Sequence, residues 1–310
     1  MVLHQPQLSL HFLGTSGAWP TADRNVSATV LKRGGELLLF DCGEGTQRQF
    51  QRSELSYMAI SKIFLSHLHG DHCFGLPGLL KTMQLNERTE PLDIYGPRGL
   101  NELMQIYGQI ANVHDQFAVR WKELREGDTV QAEGYRVACR KMNHGAINLA
   151  YAYEEEARAG RFNKPKALEL GVKEGPEFAR LKKGEAVKSV TGETVRPEDV
   201  VGPPLPGRRV VVTGDTGPCE ALVEFAKSAD VLISEATYCS DMLAKAQEYG
   251  HMTAAWAADS ARRAGVKDLI LTHLSPRYVT TDMHREEARP IFPSTRIAKD
   301  FLSVEVPLGD

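Results

Sequence analysis

Short apolar runs and two-residue alternation mark the first third of the chain. Leu8 to Leu13, Ala28 to Lys32 and Leu37 to Phe40 read as strands, and Ile63-Phe64-Leu65 reads as a buried one. A helix is expected from Phe74 to about Arg88, then shorter strands through Leu92 to Tyr95 and Tyr135 to Met142. Beyond residue 207, strand and helix alternate. Strands fall at Val210 to Thr213, Val231 to Ser234 and Leu269 to Thr272, and helices at Cys219 to Ala229, Ala254 to Ala264 and Asp282 to Phe292. Two mixed halves of this kind bury their apolar faces as two sheets packed face to face with helices outside, a four-layer αββα sandwich of the α/β class. No close internal repeat appears at periods of 20–50 residues.

The pattern lapses between residues 157 and 206. Glycines and prolines punctuate this stretch, closing at Gly202-Pro203-Pro204 and Pro206-Gly207, and only short helical patches are expected, around Lys166 to Leu170 and Phe178 to Lys183. The formal net charge of the chain is −3, which argues against a uniformly basic nucleic-acid binder. Between Ala157 and Arg196, however, ten basic residues face five acidic ones. A loop of this length is functional, or else a solvated excursion between strands.

Candidate chemistry concentrates in His67-Leu68-His69-Gly70-Asp71-His72, directly after the buried strand. Period-two geometry sends His67 and His69 the same way, and Gly70 lets the chain bend so that Asp71 and His72 approach beside them. Neutral imidazole and carboxylate are the ligands that zinc and similar ions take. Three further candidates, His144, Asp215 and His273, each stand just past a short aliphatic run, where sites of layered α/β proteins collect. A single histidine in such a place is more often structural; the set is what carries the signal.

Composition adds limits. A hydrophobic fraction of 42% over 310 residues permits a sizeable core in a single domain. The segment Met1 to Gln7 lacks the basic start and apolar stretch of a leader, and no run approaches the ~18 apolar residues of a membrane span. The five cysteines (Cys42, Cys73, Cys139, Cys219, Cys239) are widely spaced without a C-x-x-C pair, as expected of reduced thiols in a cytoplasmic protein.

In order, the chain presents Phe12-Leu13-Gly14-Thr15, Phe40-Asp41-Cys42-Gly43-Glu44-Gly45-Thr46-Gln47, the histidine motif extended through Gly75-Leu76-Pro77-Gly78-Leu79, Gly214-Asp215-Thr216-Gly217, Glu235-Ala236-Thr237, His251 with Thr253, and Leu271-Thr272-His273-Leu274-Ser275-Pro276-Arg277-Tyr278. From about Leu10 to Val306 this series resembles the ribonuclease Z branch of the metallo-β-lactamase superfamily, endonucleases that trim precursor tRNA at its 3′ end. The resemblance implies the metallo-β-lactamase sandwich with a projecting arm, at 157–206, that grips tRNA. It implies two Zn2+ per subunit, or Mn2+ or another divalent ion. His67, His69 and His144 would hold one, Asp71, His72 and His273 the other, and Asp215 would bridge them. It further implies that Asp71 accepts a proton from the metal-activated water, that His251 supported by Glu235 protonates the leaving group, and that Asp41 braces the histidines. A homodimer, in which one subunit's arm serves the other's site, belongs to the same picture.

Some assignments have a plain competitor. Thr253 is a good N-cap, so His251 could be a pre-helix polar residue. Ser275, Arg277 and Tyr278 could touch substrate, and Arg277 could equally pair within the molecule. The family often has His where this chain has Ser234 and Ser where it has Met252, which would alter hydrogen bonding around the ligands. A bacterial loop that helps reject tRNA already carrying CCA has Lys at the position of Ala22 in Pro20-Thr21-Ala22-Asp23-Arg24-Asn25. A phosphodiesterase or exoribonuclease of the same fold, and a non-catalytic metal- or RNA-binding scaffold, are the alternatives. The basic segment weighs against the first and the complete ligand set against the second.

Overall fold

The computed structural model of the chain describes residues 6–111 and 117–309, so part of the segment read for a leader lies outside the described residues. Its strands, in chain order, are β1 (Leu8–Gly14), β2 (Ala28–Arg33), β3 (Glu36–Phe40), β4 (Ile60–Phe64), β5 (Leu92–Gly96), β6 (Val119–Glu123), β7 (Thr129–Ala132), β8 (Tyr135–Lys141), β9 (Leu149–Glu155), β10 (Val187–Lys188), β11 (Thr194–Val195), β12 (Arg209–Val212), β13 (Val231–Glu235), β14 (Asp268–Thr272), β15 (Thr295–Ile297) and β16 (Ser303–Glu305). Two seven-stranded sheets result, in the orders β16-β1-β2-β3-β4-β5-β6 and β15-β14-β13-β12-β9-β8-β7.

Three apolar clusters account for the layering. Between the sheets, Phe40, Phe64, Tyr151, Val210, Ile233 and Ile270 pack with their neighbours, and Phe64 meets Phe40 and Tyr151 at ring distances of 5.3 and 5.2 Å. Outside the first sheet, Leu39, Ile63 and Ile94 pack on Leu76, Leu80 and Met104 from helices; outside the second, Val211, Leu232 and Leu271 pack on Leu222, Ala257 and Ala261. The chain therefore forms the four-layer αββα sandwich. Strands β3, β4, β5 and β6 run parallel, as do β12, β13, β14 and β15. Each parallel set brings its C-terminal ends to one edge, and the loops leaving β4, β12 and β14 carry candidate ligands there.

The predicted helix at 74–88 is two elements, Gly70–Cys73 and Leu76–Leu85. Pro77 starts the second, and Gly75 packs so closely that a Cβ there would lie 2.0 Å from the Gly43 carbonyl oxygen. Arg88, placed in that helix by the sequence, is buried, and its guanidinium donates to the carbonyls of Met58, Ile60, Glu90 and Pro91. The helices expected at Cys219 to Ala229 and Asp282 to Phe292 are shorter, Glu220–Phe225 and Asp282–Ala288, whereas Ala254–Ala264 matches.

Contacts divide the chain into two compact units, with Glu155–Arg208 falling in the smaller one. This smaller unit has its own apolar cluster: Ala167, Val172, Phe178, Leu181, Val187, Val195 and Val200, with Phe162 against it. Two short helices, Lys164–Glu169 and Pro176–Lys182, and the β10–β11 hairpin form around that cluster. Where the segment begins and ends, Arg158 and Leu205 exchange both backbone hydrogen bonds at 2.9 Å. Below them Arg208 grips Glu155 with two side-chain hydrogen bonds of 2.7 and 2.8 Å, both side chains almost fully buried.

Candidate metal centre

The local folding of the histidine motif explains its geometry. After β4, the Ser66 backbone N–H donates to Asp41 Oδ1 at 2.7 Å, which pins the chain before it turns. Asp41 itself has a left-handed backbone (φ 59°), a conformation a short polar side chain tolerates. His69 then stands at the N-terminal boundary of the helix Gly70–Cys73, and this single turn carries Asp71 and His72 back toward His67. His144 arrives on the β8–β9 connection, Asp215 follows β12, and His273 follows β14.

Seven side chains converge. His67, His69, His144 and Asp215 form one group of potential ligand atoms lying within 4.8 Å of one another, and Asp71, His72 and His273 form a second. Asp215 spans the two. Its Oδ2 lies 3.6 Å from His67 Nε2, while its Oδ1 lies 3.4 Å from His72 Nε2 and 3.3 Å from His273 Nε2.

The outward ring nitrogens are held by other groups, which fixes the inward ones. His72 Nδ1 donates to Asp41 Oδ2 at 2.8 Å. His67 Nδ1 contacts Ser66 Oγ at 3.0 Å, a hydroxyl that in turn donates to Asp41. His144 Nδ1 donates to the Gly250 carbonyl at 3.1 Å, and His273 Nδ1 donates to Thr237 Oγ1 at 2.8 Å. Asp41 was expected as such a brace; Ser66 and Thr237 were not, because a hydroxyl beside a histidine or carboxylate is too common to stand out.

Several features fit a pair of cations. His144 Nε2 and Asp215 Oδ1 are buried without a hydrogen-bond partner, a costly arrangement unless something else binds them. His67 Nε2 faces His69 Nδ1 at 2.9 Å, and His72 Nε2 faces His273 Nε2 at 3.2 Å. Nitrogens about 2.0–2.1 Å from a tetrahedral ion sit roughly 3.3 Å apart, close to these spacings. Burial, reinforced by the neighbouring His72, drives the His67 pKa down to about 2, so its ring is in the neutral form that binds metal. Burial would lift the Asp71 carboxyl, but His273 and His72 overcome it and hold the group well below the usual carboxylate range. His72 is pulled the other way: burial disfavours its charge, yet Asp215 and Asp41 raise its pKa well above 6.5.

Beside this cluster, His251 Nδ1 donates to Glu235 Oε1 at 2.8 Å, and its ring lies 5.2 Å from that of His144. Burial opposes its charge, but Glu235 prevails and pushes its pKa up to about 9. Glu235 is oriented by the backbone N–H groups of Thr216 and Thr237 and by the Thr237 hydroxyl at 2.6 Å. Thr253 caps the following helix, its hydroxyl accepting from the Trp256 N–H, which leaves the His251 side chain to its contact with Glu235.

Of the residues expected at the substrate, Tyr278 has its hydroxyl committed: it donates to Asp241 and accepts from the Cys239 N–H. Ser275 is buried and accepts from the Arg277 N–H at 3.4 Å. Arg277 is exposed and lies over Trp19, 5.6 Å from the ring centre. Met252 packs in the core outside the second sheet, and Ser234 donates to the Glu235 carbonyl. Arg24 points inward to Thr15 and the Ala298 carbonyl, anchoring the loop in which Ala22 is exposed.

A model of the beta-lactamase superfamily domain matches residues 179–274, and one described as anti-Pycsar protein Apyc1 matches residues 8–153. Ribonuclease Z of Methanosarcina mazei is 46% identical over 302 residues, covering 97% of this chain and 98% of its own. Ribonuclease Z of Methanothermobacter thermautotrophicus is 45% identical, covering 98% of each. Among solved structures, human tRNase Z, short form, aligns with a TM-score of 0.70 at 29% identity, over 96% of this chain and 99% of that one. Sandwich and clustered ligands together define a metallo-β-lactamase-fold protein. At these identities over nearly its whole length, the chain belongs to the ribonuclease Z family.

Proposed function

We propose that the protein is an endoribonuclease that removes the 3′ trailer of precursor tRNA. The observation carrying this reading is Asp215, whose two oxygens face two separate histidine groups in a chain 46% identical to a ribonuclease Z. His67, His69 and His144 would hold one Zn2+, Asp71, His72 and His273 the other, with Asp215 between them. Two such ions would bring a bound water's pKa from about 15.7 toward about 7 and neutralise charge gathering on the phosphate. Asp71, held as a carboxylate, is the proton acceptor at the nucleophile. His251, protonated at neutral pH through Glu235, is placed to protonate the departing 3′ oxygen. The tRNA body would then end in a 3′-hydroxyl and the trailer begin with a 5′-phosphate.

Unit 155–208 supplies the grip on tRNA in this reading. Lys166, Lys173 and Lys183 are exposed there and take part in no ion pair among the described residues, whereas Lys164 and Arg180 are paired with Glu174 and Glu185. A homodimer in the cytoplasm completes the proposal; its five cysteines are free, and no described helix is long and apolar enough to cross a membrane.

The test is incubation with a precursor tRNA transcript carrying a trailer, with both new ends analysed. A single cut at the 3′ end of the tRNA body, leaving 3′-hydroxyl and 5′-phosphate, is expected. A 2′,3′-cyclic phosphate on the body would mean that the neighbouring hydroxyl attacks, and the proposed chemistry would fall.

A further inference from the structure

We propose that Trp19, backed by the Arg277 guanidinium, is a stacking platform for the nucleobase of one of the two nucleotides flanking the scissile phosphate. The inference rests on reading the centre as an RNA phosphodiesterase site.

Trp19 is 46% exposed, yet its backbone is fixed. Gly17 N–H donates to the Leu274 carbonyl at 2.9 Å, Trp19 N–H to the Gly17 carbonyl at 2.8 Å, and Ser16 Oγ to the Trp19 carbonyl at 2.8 Å. The next turn of the loop is anchored by Arg24 and by Asn25 N–H, which donates to Asp300 at 2.7 Å. Nearly half of this large ring therefore stays exposed on an ordered backbone, an area that a flat ligand could cover.

The position of the ring identifies that ligand. Ala18, in a left-handed conformation (φ 64°), donates its N–H to Asp71 Oδ2 at 2.8 Å. A Cβ on Gly17 would come within 2.8 Å of the His273 ring. Trp19 is therefore one residue from a contact to the proton-accepting carboxylate and two from a packed ligand ring. A polynucleotide whose phosphate sits at that centre must put its adjoining bases close by, and at a cut in single-stranded RNA they are unpaired. Flat aromatic side chains and Arg planes take such bases by stacking. Arg277 is exposed, joins no carboxylate among the described residues, and lies over the indole, where it can polarise the ring and meet the RNA backbone.

The test combines variants with abasic substrates. Wild type, Trp19→Ala and Trp19→Phe are assayed on precursor tRNA that is intact, abasic at the last tRNA nucleotide, abasic at the first trailer nucleotide, or abasic several nucleotides into the trailer. Trp19→Ala should reduce kcat/KM on the intact substrate on the order of tenfold, chiefly through KM, and Trp19→Phe should retain most of it. Removing the stacked base should cost the wild type a similar factor and Trp19→Ala nothing further, whereas the distant abasic site should leave the Trp19→Ala defect in place. Equal Trp19→Ala losses on all four substrates would make the ring a structural part of the loop, and no loss would remove it from recognition; either overturns the proposal. Dissociation constants run through the same cycle separate the two readings. An enzyme that binds but does not cut would sink the proposed activity, while the platform is judged by whether the binding terms depend on each other.

Discussion

At the level of single residues, the direction of four candidate ligands is set by the atom behind each. Asp41, Ser66, Thr237 and the Gly250 carbonyl hold the outer nitrogens of four histidines, so the inner ones need little reorganisation to bind an ion. Among the candidate ligands, His67, His69, Asp71 and His72 stand out in the sequence because type and spacing are distinctive within one turn of chain. Ser66 and Thr237 do not, since their role depends on strands far apart in sequence. Another residue that the sequence does not single out is His284, fully buried with Nε2 donating to the Ala236 carbonyl. Burial drives its pKa down to about 4 from the ordinary 6.5. The unfolded chain therefore takes up a proton below pH 6.5 that the folded protein refuses until about pH 4. Its contribution is intact above 6.5 and is lost as pH falls through that window, by about 3 kcal/mol at the limit. Urea unfolding at pH 7 and pH 5 should show a smaller acid loss in His284→Gln than in the wild type; identical losses would contradict the assignment.

At the level of elements, runs of aliphatic residues located the central strands, and the loops that follow them hold the site. The strands β6, β7, β9, β15 and β16 escaped because none is an aliphatic run: polar or aromatic residues interrupt each of them. The helix Leu100–Ala111 was also missed, although Leu100, Leu103, Met104 and Tyr107 repeat at helical spacing and face the core. In the segment 157–206 the two short helical patches read from the sequence are present as Lys164–Glu169 and Pro176–Lys182, whereas the apolar cluster they form around Phe178 and Leu181 was hidden among glycines and prolines. Because Arg158 and Leu205 are bonded to each other, a short Gly/Ser link can replace 160–203 while keeping that junction and the buried Arg208–Glu155 pair. The shortened protein should bind as much zinc as the parent and hydrolyse bis-p-nitrophenyl phosphate within several-fold of its rate. Cleavage of precursor tRNA should fall far more, with a shallower dependence of log affinity on log salt. Parallel loss of both activities, with zinc content unchanged, would make the segment part of the catalytic apparatus instead.

At the level of the whole molecule, two sheets bring candidate ligands separated by up to 202 positions together, Asp71 Oδ2 lying 3.3 Å from His273 Nε2. Alternating strands and helices indicated two packed sheets, but the pairing order and the meeting of both halves at one edge depend on long-range contacts that no local pattern encodes. The central claim is that this edge is a two-ion centre that cuts RNA. Protein stripped of metal and titrated with Zn2+, with precursor tRNA cleavage and bound zinc read at each step, tests it most directly. Activity should stay low through the first equivalent and rise to its plateau only as the second binds. Full cleavage at one equivalent, or cleavage that persists in the stripped protein, would contradict the account.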